Sequence, residues 1–179
     1  MSAIALSRRR LFAGGALAVG FSLLAPSRLM ARQMPRLPGD LAKYPLLDSW
    51  IRIDRQGRVT VLTGKAELGQ GLKTALIQLA AEELGLDPRQ VTLVTADTAL
   101  TPNEGYTAGS HSLQDSGTAI RAAAAEAREV LLAAAAARLA VPAERLTAEH
   151  GAIVAADGRR IGFGELVGAA RLHAPARPQ

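Results

Sequence analysis

Gly64-Lys65-Ala66-Glu67-Leu68-Gly69-Gln70-Gly71-Leu72-Lys73-Thr74 is the stretch on which the fold turns. From it, Leu72, Ala75, Leu76, Leu79, Ala80 and Leu84 recur at the spacing of one helix face, with Lys73, Gln78 and Glu82 elsewhere on the wheel. Gly85 stands where a helix C-cap often falls. Glycines ahead of a helix let the backbone approach a ligand closely, and the unpaired N–H groups of the first turn, backed by the helix dipole, favour a phosphate. Gln70, between Gly69 and Gly71, both donates and accepts, as recognition of a heterocycle edge or a metal-bound oxo group requires.

Upstream, Trp50 to Ile53 and Arg58 to Leu62 are β-branched or apolar runs joined by Asp54-Arg55-Gln56-Gly57, the pattern of a hairpin. Downstream, Asp87-Pro88 makes a turn and Val91 to Thr95 reads as the next strand. A loop with Pro102, Asn103 and two glycines follows. Ser112 and Asp115 then offer a capping-box-like start to a helix running to about Leu139. That helix is rich in alanine, including Ala133 to Ala137, and so has high helix propensity and little bulk to hold a neighbour away. Ile153 to Ala155, Asp157-Gly158 and Phe163 to Ala170 suggest a second hairpin and a short helix.

The fold class expected is therefore α+β: hairpin, amphipathic helix, strand and long alanine-rich helix, a partial domain over residues 49–172 that another chain would complete. Pro35, Pro38, Gly39 and Pro45 break any period over 32–48, which reads as a linker lying over a surface, and 173–179 as a disordered tail.

Composition narrows the function. With no cysteine, the chain itself can form no disulfide, thiolate zinc site or iron–sulfur cluster. The net charge is +5, but Arg8, Arg9, Arg10 and Arg28 carry all but one of those charges, in a leading segment without a single acid. The basic balance thus belongs to targeting, not to a nucleic-acid footprint. Ser7-Arg8-Arg9-Arg10-Leu11-Phe12 precedes an uncharged stretch from Leu11 to Ala25, which describes a twin-arginine signal peptide over residues 1–31, with Ala31 a candidate cleavage position. The stretch is shorter than the roughly 20 apolar residues of a spanning helix. Periplasmic location follows as an expectation, with membrane association as an option.

A second glycine-flanked loop, Thr107-Ala108-Gly109-Ser110-His111-Ser112, leads into the second helix. Its hydroxyls at Ser110 and Ser112, with Thr74 from the first loop, are further donors for an anion. His111 is as readily a solvated bystander as a ligand contact, and His150 and His173 have no spaced partners. Glu67 reads as ordering its loop or pairing with Lys65 or Lys73, and Glu82, Glu83 and Glu126 as surface charges. No protein-only metal site is expected.

Glu67 to Thr74, Ala80-Ala81-Glu82-Glu83-Leu84-Gly85, Asp97-Thr98, Pro102 and Thr107 to Ser112, in this order, resemble the xanthine dehydrogenase family of molybdenum hydroxylases, and within it the isoquinoline 1-oxidoreductase beta-subunit group and related periplasmic aldehyde dehydrogenases. The resemblance covers about Trp50 to Leu139. It implies a molybdopterin cofactor with molybdenum, with a cytosine dinucleotide among its forms, contacted by Gly69, Gln70 and Gly71 and by Ala108, Gly109, Ser110, His111 and Ser112, beside the donor already read at Thr74. It also implies a [2Fe-2S] ferredoxin-like subunit holding the iron–sulfur clusters, with a cytochrome c as a further acceptor.

The family's general base is a glutamate in a Gly-Glu-Pro-Pro type motif, which this sequence lacks; Gly164-Glu165-Leu166 is only a superficial match. No catalytic residue is therefore assigned. Three roles stay open: one part of a split molybdenum subunit, completed by another polypeptide in oxidising an aldehyde or N-heterocycle; a truncated, non-catalytic fragment; or an exported molybdopterin-binding protein without redox work.

Overall fold

The computed structural model describes residues 36–168 and 172–177. The leading segment read as an export signal lies outside the described residues. Among those described, no helix is long and apolar enough to cross a membrane.

Strands β1 (Ile51–Ile53) and β2 (Val59–Thr63) pair antiparallel, with Ile51 opposite Val61 and Ile53 opposite Val59. Asp54 sets the turn: its Oδ1 accepts the N–H groups of Gln56 and Arg58 at 2.9 and 3.0 Å. Helix α1 (Leu72–Leu84) then crosses over, and β3 (Val91–Thr95) lies parallel to β2, Val59 opposite Val91 and Thr63 opposite Thr95. A parallel pair needs such a crossover, because a tight turn can only reverse the chain. Three strands in the order β1-β2-β3 make this sheet.

Helix α1 buries Leu72, Leu76, Ala80 and Leu84 and ends at Gly85, whose φ of 65° accommodates the left-handed cap. A Cβ on Gly85 would also stand 2.1 Å from the Ala148 carbonyl oxygen, so glycine is needed twice there. Helix α2 (Thr118–Leu139) packs against α1. Its stripe of Ala119, Ile120, Ala123, Ala124, Ala127, Leu131 and Ala135 is fully buried, the small side chains admitting close approach. Trp50 is sealed in the same core, its indole N–H donating to the Tyr44 carbonyl at 2.8 Å.

A second antiparallel sheet, β4 (Leu146–Glu149), β5 (Ala152–Ala155) and β6 (Arg160–Gly162), is followed by the short helix α3 (Phe163–Val167). The architecture is α+β, as the patterning implied. Strand β4 went unread because Thr147 and Glu149 interrupt its apolar run.

Several local expectations are corrected. The stretch expected as a linker carries two single helical turns, Gly39–Ala42 and Leu47–Ser49, and buries Leu41 and Leu47 against the core. Residues 173–177, within the stretch 173–179 expected as a disordered tail, clip onto it: Leu47 N–H donates to the Ala174 carbonyl at 3.0 Å, Ala176 N–H to the Pro45 carbonyl at 2.7 Å, and His173 Nδ1 sits 2.7 Å from Asp48 Oδ2. Glu126 is no surface charge, because its carboxylate is buried and meets Arg177 at 2.6 Å. Ser112 makes no capping bond; its backbone is already helical, and a wide π-type turn over Leu113–Gly117 leads into α2.

Candidate cofactor-binding site

The loop after β2 and the loop after β3 leave parallel neighbours at their carboxyl ends, so the sheet itself delivers both to one edge. They are bonded to each other. Ala66 N–H donates to Thr107 Oγ1 at 2.7 Å, and Gly64 N–H to Glu104 Oε2 at 2.7 Å. A Cβ on Gly64 would lie 2.1 Å from the Pro102 carbonyl oxygen, so only glycine admits this approach.

Beneath the loops is a polar knot. Lys65 is 2% exposed, and its ammonium donates to the carbonyls of Glu104 at 2.8 Å and Tyr106 at 3.2 Å, with Asp115 Oδ2 at 3.9 Å. Thr63 Oγ1 donates to Glu104 Oε2 at 2.7 Å and lies 2.7 Å from Ser116 Oγ. Burial, foremost, raises the Glu104 carboxyl above its ordinary value, against the hydrogen bonds from Thr63 and Gly64. These four buried residues escaped the sequence reading. Only Lys65, an ammonium hard against a buried strand, offered a local signal.

The two loops differ in what they leave free. In the first, Glu67 accepts the N–H groups of Gly69 at 2.7 Å, Gly71 at 3.1 Å and Lys73 at 2.8 Å. The bond from Lys73 leads the causes that hold its carboxyl below the usual carboxylate range. Glu67 thus orders the loop, and it pairs with neither Lys65 nor Lys73 through their ammonium groups. The expectation that both helix N-termini offer amides to a phosphate is corrected for α1: an internal carboxylate already takes that position, satisfying the same dipole.

Gln70 folds onto its own loop, Oε1 accepting Leu68 N–H and Nε2 donating to the Ala66 carbonyl at 2.9 Å. Gly69 and Gly71 hold φ of 93° and 78° with nothing within 4 Å of a built Cβ, so one side of the loop is open. Thr74 is exposed on the first turn of α1.

The second loop leaves its middle free. Gly109 and Ser110 are successively left-handed, with φ of 66° and 58°, and the N–H groups of Ala108, Gly109 and Ser110 make no hydrogen bond among the described residues. Consecutive amides in such a turn form a concavity suited to an anion. The hydroxyls of Ser110 and Ser112 are likewise unengaged among the described residues. Ser110 holds the left-handed region without glycine's freedom, a strain that clusters at ligand-binding turns. His111 is exposed; its Nδ1 stands 4.0 Å from Asp115 Oδ1, and its ring packs over Gly109. The residues present fit an anionic group at Ala108 to Ser112 and a flat polar one beside Gly69 to Gly71.

Glu165 is placed otherwise. It lies in α3, its Oε1 accepting Gly162 N–H at 3.3 Å as a helix cap. A cleft of about 400 Å³ at the far end of α1 carries Glu83 and Arg128, part of an ion-pair group in which Glu83 meets Arg121 at 2.9 Å.

Known proteins resemble this chain. The family described as Molybdopterin cofactor-binding domain matches residues 27–178. The chain is 43% identical over 118 residues to a nicotinate dehydrogenase polypeptide of Pseudomonas putida, covering 66% of this chain and 10% of that protein. It is 35% identical over 126 residues to the beta chain of isoquinoline 1-oxidoreductase from Brevundimonas diminuta, covering 66% and 16%. Quinoline 2-oxidoreductase from Pseudomonas putida 86 superposes with a TM-score of 0.56 at 32% identity, over 70% of this chain and 16% of that one. The chain thus spans between a tenth and a sixth of these relatives. It belongs to the molybdopterin cofactor-binding domain family of the molybdenum hydroxylases.

Proposed function

We propose that this chain supplies part of the cofactor cradle of a molybdopterin-dependent hydroxylase or dehydrogenase acting on an N-heterocycle or an aldehyde. The observation that carries this reading is the pair of loops bonded side by side through Ala66 and Thr107, one ordered internally and the other with the N–H groups of Ala108, Gly109 and Ser110 unengaged among the described residues. The names of three relatives, which specify nicotinate, isoquinoline and quinoline, favour the heterocycle.

When bound, the cofactor supplies the two-electron redox chemistry at molybdenum. In this reading the N–H groups of Ala108, Gly109 and Ser110 donate to its phosphate, with the hydroxyls of Ser110 and Ser112, and Thr74 and His111 border the site. Gly69, Gln70 and Gly71 lie along the pterin. Gln70 becomes a direct contact by exchanging Ala66 O and Leu68 N–H for the pterin edge. The catalytic base and substrate pocket come from the remainder of the molybdenum subunit. A [2Fe-2S] partner carries electrons onward, since this chain has no cysteine, and a cytochrome c is a further acceptor. The doubled arginines at Arg8 and Arg9 support twin-arginine export of the loaded protein to the periplasm, with membrane association an option.

The test is affinity purification of the chain from its host, followed by metal and pterin analysis. Molybdenum, pterin and a larger polypeptide bearing the Gly-Glu-Pro-Pro motif should co-purify. Recovery of the chain with none of the three would favour a non-catalytic fragment instead. Recovery with pterin but no larger polypeptide would favour a cofactor-binding protein without redox work.

A further inference from the structure

Four large apolar side chains stand exposed among the described residues: Leu68 at 71% and Tyr106 at 94%, with Leu100 and Leu113 about half exposed. All four belong to the segments that leave the carboxyl ends of β2 and β3. Leu68 lies in the first glycine loop, Leu100 and Tyr106 in the stretch after β3, and Leu113 opens the π-type turn. The bonds from Ala66 to Thr107 and from Gly64 to Glu104 hold these segments side by side. A single exposed leucine is ordinary, but the gathering of such side chains at one edge marks an interaction surface.

The backbone under each of the four is tied down. The Lys65 ammonium holds the Tyr106 carbonyl at 3.2 Å, and Gln70 Oε1 takes the Leu68 N–H. Asp97 Oδ1 accepts the Leu100 N–H at 3.1 Å, and the Leu113 carbonyl accepts from the N–H of Thr118. Apolar groups carried on an ordered backbone lose little further freedom on binding, which favours association.

The charges of these loops are turned inward. Glu67 is spent on three amides, Asp97 on its own turn, and Lys65 and Glu104 are buried. Lys73 and Arg52 are exposed nearby, two cations where a protein holds an anionic lipid surface with a cluster of about four to eight. A surface of this kind fits the apolar face of a polypeptide, whose interface core is likewise poor in charge. The relatives indicate which polypeptide. The matched part is 10% of the nicotinate dehydrogenase polypeptide and 16% of the isoquinoline 1-oxidoreductase beta chain, so the bulk of each lies beyond the segment that this chain resembles.

We propose that the edge formed by Leu68, Leu100, Tyr106 and Leu113 docks the remaining part of the molybdenum subunit, with Leu68 and Tyr106 as its anchors. The inference rests on the reading of this chain as part of a cofactor cradle, and it names the contact that closes the cradle. Leu68 adjoins Gly69, whose side of the loop is open, so the docked face also shields the cofactor loops from water.

The test uses the full chain, tagged and recovered from its host. Wild type should bring down the larger polypeptide that carries the Gly-Glu-Pro-Pro motif, identified by mass spectrometry. Leu68→Ser combined with Tyr106→Ser should lower its recovery by about tenfold or more, as loss of central anchors does. The double variant should melt within a few degrees of wild type, because both side chains are exposed. The chain has no cysteine, so Tyr106→Cys carries a single thiol for a photo-crosslinker. That thiol should attach to the same polypeptide, whereas Arg145→Cys, exposed ahead of β4, should not. The crosslink decides the matter where the double variant does not fold. Undiminished recovery with a folded double variant, from preparations that hold molybdenum and pterin, would overturn the docking and leave the cofactor reading intact. Patch-dependent recovery from preparations without molybdenum and pterin would uphold the docking and overturn the cofactor reading. Absence of that polypeptide from the wild-type preparation, or a crosslink from Tyr106→Cys to a second copy of this chain or to a protein without the motif, would overturn the docking.

Discussion

The backbone N–H of Ala66 donates to the hydroxyl oxygen of Thr107 at 2.7 Å across 41 residues of sequence. This bond joins the loop after β2 to the loop after β3 at the edge where the parallel strands end.

Thr107→Val keeps the shape and removes the acceptor, leaving the Ala66 N–H half-buried and unpaired. Destabilisation of about 1–3 kcal/mol should follow. Thr107→Ser should restore most of it, and urea denaturation of the three proteins compares them.

Lys65→Met should cost about 2–3 kcal/mol, because two carbonyls lose a charged donor while buried. Lys73→Met, on the exposed side of the first turn of α1, should fall within roughly 0.5 kcal/mol of wild type. Equal losses would mean that Lys65 is not the staple between the loops.

Glu67 ties down three amides, at Gly69, Gly71 and Lys73. Its carboxyl is depressed in the folded chain, so this ordering is present above the ordinary carboxylate value and is lost as pH falls through the depressed one. Amide hydrogen exchange at those positions should accelerate in acid beyond its intrinsic pH dependence. Glu67→Ala should show the acceleration at neutral pH.

Gly85→Ala meets both a left-handed φ and the Ala148 carbonyl oxygen, so it should lose more than the ~1–2 kcal/mol of the backbone strain alone. Gly158→Ala, with φ of 85° but nothing within 4 Å, should lose only the strain. Thermal melts of the two variants separate the close approach from the conformation.

Much of this molecule was legible locally. The hairpin, α1 with its Gly85 cap, β3 and the alanine-rich α2 follow from periodicity and turn chemistry, which act over a few residues. Glu67 was readable as a loop organiser because its partners are two to six residues away. Ser112 was misread as a cap because the wide turn after it depends on Gly117 packing under Leu113, where a Cβ would stand 3.4 Å from a Leu79 methyl, a contact between helices.

The chain's residues alone determined the elements, the absence of cysteine chemistry and the two glycine loops whose resemblance led to the family. Only tertiary structure decided that β2 and β3 run parallel and carry those loops to one edge, that Glu104 is buried against Thr63 and Ser116, and that Arg177 reaches Glu126. The reason is range: propensity and period are set by neighbours in sequence, whereas burial and partner choice are set by contacts across tens of residues.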